Sequence, residues 1–185
     1  PCPFDDANLE GKRGNKQALQ EEMGLPEDPT APLFTNITRL AEQKGADLLL
    51  AALHALASSG EHFQFAFLGS GDPALEDGYR ALASQFPDRV AARIGFDPHL
   101  AHRLEAGADF YVMPSRFEPC GLNQLYSLRY GTIPIVRATG GLQDSVVDPR
   151  DNPARPTGIK FHDANVTALL NALHKALVLY RNPEL

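Results

Sequence analysis

The chain contains 185 residues, carries a net charge of −6 and is 43% hydrophobic, so it has room for one substantial core and is predicted to fold as one domain. Its 15 glycines and 15 prolines exclude a collagen-like or low-complexity chain, and its acidic balance argues against broad binding to nucleic acid or to membranes. Two distant cysteines and the lack of a long apolar run exclude a disulfide scaffold and a membrane span, so a soluble protein of a reducing compartment is predicted.

The first residues lack a hydrophobic period and do not begin with methionine. Residues 1–12 are therefore assigned to a linker or to the remnant of a longer chain, and residues 13–185 to the domain. A short amphipathic helix is predicted over Lys12–Gly24, because its apolar positions recur at helical spacing and a glycine ends it. These apolar positions are Ala18, Leu19 and Met23.

The rest of the chain alternates between short apolar runs and helical patterns. Strands are predicted at Leu33–Ile37, Phe63–Leu68, Val90–Ile94, Phe110–Met113, Thr132–Val136 and Ile159–Phe161. Helices are predicted at Asp47–Ser58, Pro73–Ser84, Pro98–Glu105, Gly121–Tyr130 and Val166–Tyr180. Apolar runs without strict alternation are typical of strands covered on both faces, which predicts an α/β fold: a Rossmann-like open parallel sheet with helices on both faces.

Ligands of such sheets bind beyond the carboxyl ends of the strands, so the loops that follow the strands are the candidate binding loops. They are Thr38–Gly45, Gly69–Asp72, Gly95–Pro98, Pro114–Gly121 and Arg137–Gln143. No cluster of metal ligands, no nucleophile motif and no phosphate-binding lysine motif occurs among them, which argues against a metal site, a hydrolase and a kinase.

The run PSRFEPCG, residues 114–121, leads from a predicted strand directly into a predicted helix. The backbone N–H groups of Cys120, Gly121 and Leu122 would there face an anion such as a diphosphate. Glu118 carries an acceptor-only carboxylate, which suits sugar hydroxyls and would repel phosphate. Its alternative role is to stabilise the helix dipole.

Arg39 and Lys44 flank the loop after the first predicted strand. A cation at the start of a helix is disfavoured by the dipole, so this pair indicates an anion, with Arg39 and Lys44 holding a pyrophosphate and stabilising its departure. The alternative is that both are solvated surface charges. Thr139 and Gly140 follow another strand and either let the backbone approach a phosphate or form a plain tight turn.

The runs TRLAEQKG, LGSGDP, GADFYVMPS and PSRFEPCGLNQLYSLRYGTIPIVRATGGLQDSV resemble the carboxyl-terminal domain of bacterial glycogen synthases and plant starch synthases. That family consists of retaining glucosyltransferases with two Rossmann-like domains of the GT-B type. They transfer glucose from ADP-glucose to the non-reducing end of an α-1,4-glucan. The resemblance extends from about Asn15 to Leu185 and implies that this chain is the donor-binding half.

By this resemblance Arg39 and Lys44 hold the diphosphate and assist its departure, and Glu118 binds glucose hydroxyls. The backbone of residues 120–122 contacts donor oxygens. Phe96 matches a position that lies against the adenine ring; its alternative role is a phenylalanine at the edge of the core. No metal and no cofactor is implied.

The wider superfamily has a second glutamate eight positions after Glu118, where this chain has Tyr126. In the glycogen and starch synthase branch this tyrosine is expected. The amino-terminal domain of the family, which supplies most of the glucan-binding surface, has no counterpart in this chain, so the chain alone is predicted to be inactive. A UDP-glucose-dependent glucosyltransferase and a free-standing nucleotide-binding regulatory domain are the alternatives, and a bacterial cytoplasm or a plastid is the expected location.

Overall fold

The structure is a computed structural model that describes residues 2–5, 8 and 10–182. Parts of the predicted linker, at residues 1, 6, 7 and 9, and the last three residues of the predicted domain lie outside the described residues. The strands are β1 (Leu33–Leu40), β2 (Gln64–Gly71), β3 (Val90–Ile94), β4 (Phe110–Met113), β5 (Ile133–Arg137) and β6 (Ile159–Phe161). The helices are α1 (Glu10–Met23), α2 (Ala46–Ser58), α3 (Pro73–Gln85), α4 (Pro98–Gly107), α5 (Asn123–Arg129), α6 (Gly140–Ser145) and α7 (Val166–Arg181).

The six strands form one sheet in the order β3-β2-β1-β4-β5-β6, and each neighbouring pair is parallel. Because the chain moves outward from β1 in one direction and from β4 in the other, the strand order reverses between these two strands. This is the order of a doubly wound sheet, so the predicted Rossmann-like α/β fold is confirmed.

Both faces of the sheet are covered by apolar side chains. On one face α2, α3 and α7 enclose the larger core, which includes Phe34, Phe67 and the fully buried Tyr79. On the other face α1, α4 and α6 cover two smaller clusters, around Leu33 and around Tyr111. Coverage of both faces explains why the strands read as continuous apolar runs. No helix within the described residues is long and apolar enough to cross a membrane.

Helix α1 differs from its prediction in its bounds and in the face that it buries. It begins at Glu10, two residues before the predicted start at Lys12. Lys12 reaches into the domain, where its Nζ atom donates to two carbonyl oxygens and to Thr132 Oγ1 over 2.8–3.2 Å. Burial lowers the pKa of Lys12 to about 8. Ala18 is exposed, whereas Lys16 is buried, because the inner face of this helix is largely polar.

Strands β1 and β2 both extend three residues further than predicted. They pair without interruption as far as Leu40 and Gly71, so Arg39 lies in the strand and not in the loop after it. Gly69 and Gly71 pack directly against the carbonyl oxygens of Thr38 and Leu40, which leaves no space for a side chain. The Gly-Ser-Gly run is therefore part of the sheet, and its glycines serve close strand packing.

The two short helices after β4 and β5 also depart from the sequence prediction. Helix α5 begins at Asn123 and ends at Arg129, so residues 121 and 122 precede it. Helix α6 falls where a loop was predicted, because a Gly-Gly start disfavours a helix in sequence-based reasoning. The β3, β4 and β6 boundaries agree with the prediction.

Glu105, near the end of α4, carries a buried carboxyl group. It is 4% exposed, its Oε2 lies 4.0 Å from the ring of His102, and burial raises its pKa to about 7. Between pH 4.5 and about 7, the Glu105 carboxyl group therefore keeps its proton in the folded chain and loses it in the unfolded chain. The stability from this group is fully present below pH 4.5 and is lost as the pH rises through 7.

We therefore expect Glu105→Gln to raise the melting temperature by several degrees at pH 8 and to leave it nearly unchanged at pH 5, because glutamine mimics the protonated acid. Thermal unfolding of both proteins at the two pH values measures this difference. Glu21→Gln, an exposed position on α1, is the control and should show no such dependence on pH. A constant difference between Glu105→Gln and the unchanged chain would contradict the assignment.

Candidate functional site

A crevice opens between the carboxyl ends of β1 and β4, where the strand order reverses. Strand β4 pairs with β1 only at Phe34–Phe110 and Thr35–Tyr111, and beyond these positions the two strands separate. The opening is a cavity of about 80 Å³. Its lining residues are Asn36, Ile37, Thr38, Lys44, Tyr111, Met113, Ser115, Glu118, Gly121, Leu122 and Asn123. Four of the predicted site residues thus meet at the position where doubly wound sheets bind ligands.

Lys44 and Glu118, which are 74 positions apart, form an ion pair at the mouth of this crevice. Lys44 Nζ lies 2.6 Å from Glu118 Oε2, and the side chain of Glu118 is only 9% exposed. Ser115 Oγ donates to the same carboxylate oxygen over 3.2 Å. From the sequence, Lys44 is predicted to hold a diphosphate and Glu118 to bind a sugar; the structure places the two side chains in direct contact.

Three consecutive backbone N–H groups, those of Cys120, Gly121 and Leu122, donate to no atom among the described residues. Gly121 has a φ of 71° and Leu122 is in the right-handed helical region. Successive N–H groups in such an arrangement form a concave anion-binding surface. Because α5 starts after these N–H groups, their predicted contact with an anion, which stays a prediction, would not depend on the dipole of that helix.

Polar side chains that the sequence analysis missed bridge the gap between the separated strands. Tyr111 is fully buried; its hydroxyl donates to Ile37 O over 2.9 Å and accepts from Ile37 N over 3.1 Å, which replaces the missing strand pairing. Asn123 Nδ2 donates to the same hydroxyl over 2.7 Å, and Asn36 Nδ2 donates to Val112 O over 2.7 Å. Burial raises the pKa of Tyr111 well above its usual range, so the hydroxyl stays protonated.

One acceptor on the crevice floor has no partner. Asn36 is 3% exposed, and its Oδ1 atom accepts no hydrogen bond from any described residue. Thr35 and Asn36 are polar residues inside a buried strand, and this pattern is visible in the sequence. The sequence does not show that Asn36 lies where β4 separates from β1. The crevice therefore presents a carboxylate, a cation and free N–H groups to a polar ligand, above a buried amide oxygen that has no partner among the described residues.

The remaining predicted residues do not line this crevice. Arg39 is exposed at the end of β1, and its guanidinium has no partner among the described residues. Phe96, in the loop after β3, is 90% exposed and does not pack at the edge of the core. Tyr126 is half exposed on α5. Their predicted roles remain predictions, since nothing in the structure tests them.

Thr139 and Gly140 stand beside the 118–120 loop and not in the crevice. Gly140 packs on the carbonyl of Glu118 and Gly141 on that of Cys120, so neither position has space for a side chain. Gly141 N donates to Glu118 O over 3.1 Å. These contacts give the glycines a structural use, the support of the Glu118 loop, beside their predicted role in approaching a phosphate.

Comparison with known proteins identifies the family of the domain. Residues 17–183 match the family described as glycosyl transferases, group 1. The chain belongs to this family. The group 1 glycosyltransferase domain is 56% identical over 182 residues to a glycogen synthase of Anaeromyxobacter sp. strain Fw109-5, which covers 98% of this chain and 38% of that protein. It is 47% identical over 183 residues to the glycogen synthase of Syntrophotalea carbinolica, with 99% and 37% covered.

Among solved structures, the catalytic domain of starch synthase IV from Arabidopsis thaliana bound to ADP and acarbose matches with a TM-score of 0.87 and 37% identity, covering 97% of this chain and 37% of that one. Sucrose-phosphate synthase from Thermosynechococcus elongatus matches with a TM-score of 0.67 and 25% identity, covering 98% and 43%. The glycosyltransferase domain therefore spans little more than a third of the length of the glycogen synthases that it matches. The predicted similarity to the glycogen and starch synthase family is confirmed.

Proposed function

We propose that this chain is the donor-binding domain of a retaining glycogen synthase that transfers glucose from ADP-glucose to the non-reducing end of an α-1,4-glucan. The observation that carries the proposal is the similarity, at a TM-score of 0.87 and 37% identity, to a starch synthase domain whose structure contains ADP and acarbose. Identities of 47% and 56% to bacterial glycogen synthases support the same substrate class.

In the proposed complex the donor lies along the crevice with its diphosphate at the free N–H groups of Gly121 and Leu122. Lys44 and Arg39 supply positive charge to that diphosphate, the first from the crevice mouth and the second from the end of β1. When the bond between the anomeric carbon and the diphosphate breaks, negative charge builds up on the leaving oxygen. Preorganised cations and N–H groups stabilise that charge without reorganising, which lowers the barrier.

Glu118 has the complementary role on the sugar side. Its carboxylate accepts hydrogen bonds and is fixed by Lys44 at 2.6 Å and by Ser115 at 3.2 Å. The hydroxyl groups of the bound glucose would donate hydrogen bonds to this carboxylate, which is already oriented. These bonds would fix the glucose relative to the diphosphate. Phe96 is proposed to lie against the adenine ring, where a 90% exposed aromatic face is free to stack.

Transfer itself is proposed to require the part of the protein that this chain does not contain. The crevice of about 80 Å³ is too small to enclose a nucleotide sugar, and drug-sized ligands usually occupy about 300 Å³ or more. The donor and the glucan are therefore expected to be enclosed only when a second domain faces this one. The chain alone should bind the donor without transferring glucose.

Thermal unfolding in the presence of ADP, ADP-glucose and UDP-glucose tests this assignment, since a ligand that binds the folded state stabilises it in proportion to RT ln(1 + [L]/Kd). We expect ADP and ADP-glucose to raise the melting temperature and UDP-glucose to have a much smaller effect. Equal protection by UDP-glucose would instead support the UDP-glucose-dependent alternative. Binding of ADP with no gain from glucose would support a regulatory nucleotide domain, and no protection at millimolar ligand would contradict donor binding by this chain.

A further inference from the structure

The loops that carry Lys44 and Glu118 are tied together by an arginine that lies outside the crevice. Arg116 Nη1 and Nη2 contact the two carboxylate oxygens of Asp47 at 2.6 and 2.7 Å, and Nη1 also donates to Glu42 O over 2.7 Å. Asp47 lies in the first turn of α2, three residues after Lys44, and Arg116 lies two residues before Glu118. A two-point contact between planar groups fixes orientation as well as distance.

Further contacts join the same two loops on both sides of the Arg116–Asp47 pair. Arg116 N donates to Gln43 O over 2.8 Å, and Gln43 Nε2 donates to Phe117 O over 3.2 Å. Gly45, whose φ is 66°, packs directly on the carbonyl of Pro114. The 114–117 segment is thus attached along its length to the turn that presents Lys44.

The arginine and the aspartate are placed to orient the site without touching a ligand, because neither lines the crevice. Hydrogen bonds from Arg116 hold the pKa of Asp47 below its usual range, and the pair is ionised throughout the neutral range. Both side chains are partly exposed, at 29% and 42%, and exposed ion pairs contribute little to stability. Their main effect is therefore expected in the geometry of the site.

We propose that Arg116 and Asp47 are a positioning pair that holds Lys44 and Glu118 at the separation needed to bind the diphosphate and the sugar of one donor. This inference rests on the proposed function of the crevice as the donor site. The pair acts through Lys44 and Glu118 and makes no contact with the donor itself.

The domain contains a matched pair for comparison. Arg103 Nε and Nη2 contact the two carboxylate oxygens of Glu22, each at 2.5 Å, and join α1 to α4 outside the crevice. The side chains of Arg103 and Glu22 are 36% and 32% exposed, close to the values for Arg116 and Asp47. Loss of either pair should have a similar effect on stability, whereas only loss of Arg116–Asp47 should affect the donor site.

The test compares Asp47→Asn and Arg116→Gln with Glu22→Gln and Arg103→Gln. Calorimetry should show that the first two variants bind ADP about tenfold more weakly than the unchanged chain, while the Glu22 and Arg103 variants bind ADP normally. The longer Asp47→Glu, which keeps the charge, should recover part of the affinity. Melting temperatures should fall by similar amounts in the two sets.

A second readout does not depend on nucleotide. Hydrogen exchange of the amides of Arg116 and Gly141, which donate to Gln43 O and Glu118 O, should be faster in Asp47→Asn and unchanged in Glu22→Gln. Unchanged exchange at both amides in Asp47→Asn, or normal ADP binding by that variant, would overturn the positioning role. If the unchanged chain binds no ADP, the proposed function fails separately, and the exchange rates alone decide whether the pair orders the two loops.

Discussion

Replacing Arg39 with alanine should weaken the binding of ADP by about 10- to 100-fold and leave the melting temperature almost unchanged. Arg39 is exposed, and its guanidinium has no polar partner among the described residues, so its removal breaks no hydrogen bond or ion pair of the described chain. A charge-assisted hydrogen bond to a phosphate would be lost. Calorimetric titration with ADP and thermal unfolding of the same variant measure the two effects separately.

Lys44→Ala should differ from Arg39→Ala in one respect: it should lower stability as well as affinity. Its removal leaves the carboxylate of Glu118, 9% exposed, without its cation; because Lys44 itself is 22% exposed, the loss should stay below the roughly 3–5 kcal/mol expected for a fully buried pair. Arg13→Ala, an exposed arginine on α1, is the control for both measurements. Normal ADP affinity in Arg39→Ala and Lys44→Ala would remove both residues from the donor site.

Lys16→Met should destabilise the chain by about 3–5 kcal/mol, one of the largest losses expected for a single substitution. Lys16 is 6% exposed, and its Nζ donates to Ala31 O over 2.6 Å, to Asp109 Oδ2 over 2.7 Å and to Tyr180 Oη over 2.9 Å. It thereby joins α1, the start of β1, the start of β4 and α7. Without the lysine, the carboxylate of Asp109 keeps the hydrogen bond from Leu33 N at 2.8 Å and the more distant charge of Lys12, but it loses its direct ion pair.

Denaturant unfolding of Lys16→Met, alone and combined with Asp109→Asn, measures this effect. The double variant should recover part of the loss, because asparagine removes the unpaired charge and still accepts from the backbone N–H. ADP affinity should stay normal in both variants, since this contact lies at the amino ends of the strands, away from the crevice. A double variant that loses the sum of the two single effects would show that the charge is not the cause.

The sheet could be predicted from the sequence because its signal is local. The strands Val90–Ile94, Phe110–Met113 and Ile159–Phe161 were predicted with the bounds that the structure shows, since each is a short apolar run between turn residues. The carboxyl ends of β1 and β2 were missed, because Thr38 and Gly69 enter the sheet through pairing with each other and not through their own apolar character.

Sequence patterns predict residues that could form a site, but they do not predict how those residues contact one another. Lys44 and Glu118 were both assigned to one ligand, but their direct contact joins two distant loops and follows from the strand order. The Tyr111–Asn123 contact was not predicted for the same reason: it exists only because β4 separates from β1 after two residue pairs. The positioning pair Arg116–Asp47 likewise depends on how the two loops are brought together.

A crystal structure of this chain with ADP tests the central claim most directly. We expect the diphosphate to accept hydrogen bonds from the N–H groups of Gly121 and Leu122, with Lys44 and Arg39 on its oxygens, at the crevice between β1 and β4. A diphosphate bound instead at the Gly69–Asp72 turn, or at the amino ends of the strands beside Lys16, would contradict the assignment of the crevice as the donor site.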